Sequence, residues 1–130
     1  MNYAEICHDI IELDRSIRFT AIASTEGKIV AAVYREGTQP LLTREESELS
    51  IMQSIIRMSI RKTLESKLGK ALYAVAVYER VTRATVSLYN DGSKLDAYLM
   101  VSFDSSIDHH QVMTSKLFPY LRRIDKSTAK

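Results

Sequence analysis

Four glycines, two prolines, one cysteine and no tryptophan in 130 residues leave several kinds of chemistry without their usual parts. None of the glycines is spaced as a phosphate-binding loop or a dinucleotide fingerprint, and neither a nucleophile elbow nor an HExxH pair is present. The common cofactor motifs are therefore missing. Cys7 alone cannot close an internal disulfide, and Glu5 and Asp9 stand where a signal peptide would be basic, so a reducing, cytoplasmic setting is expected. No apolar run approaches the roughly 20 residues a membrane-spanning helix needs, and the longest, Ala71 to Tyr78, has the length of a buried strand. The formal charge of +2 is too small a surplus to point to nucleic acid.

What remains is an ordinary globular composition, 45% hydrophobic and 26% charged, on a chain long enough for one domain, 1–130, to fold without disulfides or metal. From Tyr3 to Leu13 apolar residues recur at helical spacing, which predicts a first helix. Ser16 to Ser24 alternates, with Ile17, Phe19, Ala21 and Ala23 assigned to one face. Gly27, in Thr25-Glu26-Gly27-Lys28, turns the chain into a second strand, Ile29 to Arg35. Thr43 followed by Glu46 forms a capping box, and a long helix runs from there to about Lys67, with Gly69 as its terminator.

Three strands follow, Ala71 to Glu79, Thr82 to Asn90 and Leu95 to Asp104, the last two joined by Asn90-Asp91-Gly92-Ser93. A final helix begins near Asp108, and Pro119 is expected to kink or divide it. The expected fold is α+β, with a five-stranded, mainly antiparallel sheet flanked by helices in the order α-β-β-α-β-β-β-α.

The long helix carries more apolar surface than one sheet can cover. At 100° per residue its apolar positions, Leu49 to Leu64, sweep roughly 240°, against the roughly 100° stripe of a helix lying on one surface. If Met52, Ile56 and Ile60 face the sheet, then Ile51, Ile55 and Met58 are left toward solvent as a protein interface. Otherwise the first or last helix covers them within the protomer. The strand Ala71 to Glu79 is apolar on both faces, and suits either an edge pairing with its symmetry mate or a central position covered on both sides.

The remaining chemistry-bearing residues have plainer readings. His8 and Glu12 lie one turn apart without further ligands nearby in sequence. His109 and His110 point about 100° apart on a helix, which does not suit one metal. Cys7 sits on the apolar stripe as a small hydrophobe. Asp91, Asp96 and Asp104 read as solvated charge, and the strand tyrosines are flanked by acidic residues rather than by the basic platform that RNA stacking needs. The sequence thus points to no catalytic residue, cofactor or metal.

With this order of elements, the chain resembles the roadblock domain family of profilin-like and longin-like folds over nearly its whole length. The residues that carry the resemblance are the hairpin from Phe19 to Ala31, with its Glu26-Gly27 turn, followed by the long helix and three strands. Residues Arg18 to Tyr34 and Leu41 to Lys70 look more closely like a group of uncharacterised archaeal proteins. Arg15-Ser16-Ile17-Arg18 departs from the small, glycine-containing lead-in usual before the first strand.

The resemblance implies a homodimer formed by the long helix and the neighbouring strand, and a scaffold or regulator of Ras-like small GTPases. By position it makes Ile51, Ile55, Met58, Tyr73, Val75 and Val77 dimer contacts, with Lys62 beside them. The reading is a non-enzymatic dimeric adaptor. The alternative is a PAS-like sensor holding a ligand between the sheet and the long helix.

Overall fold

The computed structural model describes residues 2–90, 94–105 and 108–128; Asp91, Gly92 and Ser93 of the expected turn lie outside the described residues. The elements come in the expected order: α1 (Tyr3–Ile11), β1 (Ile17–Ser24), β2 (Ile29–Tyr34), α2 (Arg44–Arg61), β3 (Tyr73–Val77), β4 (Val81–Tyr89) and β5 (Leu95–Asp104). A 3-10 turn, Lys62–Leu64, and the short α3, Glu65–Leu68, extend α2. The C-terminal helix consists of α4 (His109–Val112), a π-helical stretch, Met113–Leu117, and α5 (Phe118–Thr128). Pro119 does not stop this helix; the wider π turns lie directly before it, where its missing amide leaves the ladder a bond short.

The capping box forms as expected: the Thr43 amide donates to Glu46 Oε1 at 2.9 Å and the Glu46 amide donates to Thr43 Oγ1 at 3.2 Å. Gly69, at φ +83°, ends the helical stretch in a conformation that L side chains rarely adopt.

The sheet is antiparallel throughout, in the order β2-β1-β5-β4-β3. Its two faces carry separate cores. Ile22, Ala97, Leu99, Val101 and Phe103 pack on one side with α1 and the C-terminal helix, through Ile6, Ile10, Met113 and Leu117. Phe19, Ala21, Ala23, Tyr98 and Met100 pack on the other side with α2 alone. The register slips between Ile17 and Phe19, and this bulge moves Ile17 to the α1 side, away from the face that the alternating pattern gave it. Thr20 lies on that same side by ordinary alternation and donates to the Cys7 carbonyl at 3.0 Å. Cys7 is fully buried, and burial pushes its thiol above the ordinary value.

Candidate protein-interaction surface

The long helix lies on the sheet in the opposite phase to the one expected. Ile51, Ile55 and Met58 are buried against Phe19, Ala21, Ala23, Tyr98 and Met100. The alanines beneath them leave room for those side chains. Leu49, Met52, Ile56 and Ile60 face outward instead, with Ile56 54% and Ile60 63% exposed. The expectation that Ile51, Ile55 and Met58 form an interface is thereby corrected: their stripe makes the core beneath α2. Contacts on both flanks of that stripe accompany the phase. On one side Arg83 donates to Ser50 Oγ, and on the other Met52 closes over Gly27 in the β1–β2 turn.

The first and last helices belong to the other face of the sheet, and neither covers the outward stripe. Spaced at three and four residues, Leu49, Met52, Ile56 and Ile60 form one ridge, and Leu64 and Leu68 continue the exposed apolar surface beyond α2. An exposed apolar patch of this kind is the usual sign of an interface.

The strand after it lies at an edge of the sheet. Among the described residues β3 pairs only with β4, so its other side presents an open edge of backbone groups. Tyr73 is partly exposed and its ring lies 5.0 Å from that of Phe118. Val75 is half-buried against the core of α1 and the C-terminal helix, Val77 is exposed at the strand's end, and Lys62 is exposed in the 3-10 turn. Lys62, Tyr73 and Val77 thus stay at the surface, whereas Ile51, Ile55 and Met58 do not.

Beside α2 the same sheet face holds a cleft of about 720 Å³, bounded by the start of α2, the β2–α2 loop and the β3–β4 turn. Arg83, Ser50, Tyr34, Tyr78 and Phe19 line it. In register, Arg83 stands between Ala76 of β3 and Ser102 of β5. Burial lowers its guanidinium from the ordinary value, while the nearby Tyr78 and Tyr34 hydroxyls act the other way. Arg83 is a single charged residue on a strand otherwise read for its apolar positions, and that local oddity was its signal in the sequence.

Three of the other singled-out residues are tied into the fold. Asp104 pairs with Arg18 at 3.3 Å, Asp96 accepts the Tyr3 hydroxyl, and Tyr98 is buried beneath α2 rather than standing on an open face. Among the described residues, no group of three His, Cys, Asp or Glu could hold a metal ion, and no helix is long and apolar enough to cross a membrane.

No family model matches the sequence, and no curated protein does. Solved structures match in fold. A Roadblock/LC7 domain from Streptomyces avermitilis superposes with a TM-score of 0.70, at 7% identity over 100% of both chains. The fold is that of a roadblock domain. Another structure, "MglB with tetrameric arrangement", matches with a TM-score of 0.65, at 15% identity over 95% of this chain and 88% of that one. The inducer-binding domain of the PobR transcription factor from Acinetobacter, solved with 3-hydroxybenzoic acid, matches with a TM-score of 0.55, at 13% identity over 95% and 93%. The roadblock architecture seen here is thus close in backbone path to both assembling and ligand-holding domains, and function has to be argued from this chain's own surface.

Proposed function

We propose that the chain is a non-enzymatic, homodimeric adaptor, working in the cytoplasm, that docks and regulates another protein. The partner implied by the resemblance to roadblock domains is a Ras-like small GTPase. The observation that carries the reading is the exposed apolar ridge of Leu49, Met52, Ile56 and Ile60 on α2, followed in the chain by the open edge strand β3.

A two-fold axis beside both would stack the two α2 ridges and pair the two β3 edges, joining two sheets into one. Burying the ridge removes apolar side chains from water at about 25 cal/mol per Å², and pairing the edges satisfies backbone groups that otherwise face solvent. Tyr73 and Val77 would lie at the joined edge, with Lys62 as rim charge. The tetrameric arrangement of an MglB with this fold supports self-assembly as a property that the architecture accommodates.

Hydrogen exchange tests the geometry. The amides of β3 that do not bond to β4 are expected to exchange slowly at high protein concentration and to speed up on dilution as the copies separate. Equal, fast exchange at every concentration would contradict edge pairing. Titration with a Ras-like GTPase from the same organism, loaded with GTP or GDP, tests the partner. Saturable binding that depends on the nucleotide supports it, and no binding in either state removes it.

A further inference from the structure

We propose that the cleft beside α2 binds a small aromatic carboxylate, with Arg83 as the residue that holds its charge. The proposal does not depend on the dimer. It starts from an unbalanced charge. Arg83 is partly buried on the sheet, yet among the described residues its guanidinium lies within ion-pair distance of no carboxylate. Its hydrogen bond goes to Ser50 Oγ, a neutral acceptor, which leaves most of its five donors for a ligand. Desolvating a cation without an anion is costly, and a structure that does so beside a cavity has a place for one.

The charges around the cleft strengthen the point. Arg18 also lines it but is already paired with Asp104 and with the Gln39 carbonyl. Glu46 is held in the capping box, where it accepts the Thr43 amide. Glu79 and Arg80, at the β3–β4 turn, are exposed at the rim and balance each other in sign. Arg83 is left as the inner cation. Phe19 and Tyr34 line the same cleft with ring centres 4.4 Å apart and their planes tilted by 37°, and Tyr78 and Leu42 complete the apolar lining.

This combination selects a chemical class. A planar guanidinium binds a carboxylate through two parallel N–H···O bonds, which suits a planar anion better than a spherical one. The aromatic wall favours a flat ring attached to that carboxylate. A volume of about 720 Å³ falls in the range of small-molecule pockets, roughly 300 to 1,000 Å³, and accommodates a substituted single ring. The tyrosine hydroxyls of Tyr34 and Tyr78 supply donors and acceptors for ring substituents.

The test uses benzoate as the probe and benzyl alcohol as its uncharged counterpart, on the full chain and on Arg83→Met, which keeps an unbranched apolar stem and removes the guanidinium with its charge. By isothermal titration, benzoate is expected to bind the wild type saturably, with Arg83→Met weakening it at least tenfold, while benzyl alcohol binds weakly and equally to both. On the wild type alone, benzoate is expected to shift the amide resonances of Phe19, Tyr34 and Ser50, which keeps the test independent of whether the variant folds. No saturable shift at those residues, or affinity that Arg83→Met leaves unchanged, would overturn the proposal. So would benzoate shifts that appear only once the protein is diluted to monomer, because the second copy would then be the occupant.

Discussion

Met52 sits so close over Gly27 that a Cβ added to the glycine would lie 2.4 Å from the methionine sulfur. This contact joins the β1–β2 turn to α2 and helps to set which stripe of the helix faces the sheet. Gly27 also has φ +92°, a conformation costly for any L side chain. Gly27→Ala is expected to destabilise the fold by about 1–2 kcal/mol in urea unfolding, most of it from the backbone, since the flexible Met52 can move aside. Adding Met52→Ala should recover only a minor part of the loss.

Neighbouring isoleucines on α2 should behave oppositely. Ile55 is 5% exposed and Ile56 is 54% exposed. Ile55→Ala removes methyl groups from the core beneath the helix and is expected to lower protomer stability by about 2–5 kcal/mol. Ile56→Ala should leave protomer stability within about 0.5 kcal/mol, as surface substitutions do. Denaturant unfolding at low protein concentration compares the two, and the reverse ranking would restore the sheet-facing role to Ile56.

Acid should weaken the contact between the α1–β1 loop and the C-terminal helix. The Lys116 ammonium, 2.7 Å from Asp14 Oδ2, is the main cause that holds the Asp14 carboxyl down at about 2, with the Ser16 hydroxyl and amide adding to it. Because the folded state lowers this pKa from 3.8, its contribution is present above about pH 4 and is lost as the pH falls toward 2. Asp14→Asn is expected to flatten the loss of stability across that window, as followed by circular dichroism during acid titration. An unchanged acid profile would show that the ion pair is not coupled to folding.

Removing the cap of α2 should cost less than opening its core. Thr43→Ala leaves the Glu46 amide without its side-chain acceptor and is expected to lower stability by about 1 kcal/mol, with Thr43→Ser close to wild type. Thermal unfolding of the pair measures the hydroxyl's share.

Element order was legible in the sequence because helices, strands and turns announce themselves locally, as Thr43 with Glu46 and the glycines at 27 and 69 do. The phase of α2 was not. At 100° per residue its apolar arc consists of two stripes with Ser59 between them, and neither stripe differs enough in residue type to name the inner one. The choice goes with contacts far apart in sequence, Ser50 with Arg83 and Met52 with Gly27, as well as the alanines of β1 beneath the helix. For the same reason the bulge between Ile17 and Phe19 could not be read, since strict alternation hides a one-residue slip. The α2 residues expected at an interface therefore fell on the stripe that packs against the sheet. Arg83 was passed over because its meaning comes from the cleft that the fold builds around it.

The central claim is that the outward ridge of α2 joins two copies of the chain. Light scattering across a dilution series, on the wild type and on Ile56→Asp, tests it most directly. The substitution lies on the protomer's surface and should not disturb folding, but in the proposed interface it buries an unpaired charge, enough to weaken association at least a hundredfold. The account predicts a wild-type dimer and a folded Ile56→Asp monomer at the same concentration. A wild-type monomer at every concentration, or a dimer that Ile56→Asp leaves intact, would contradict it.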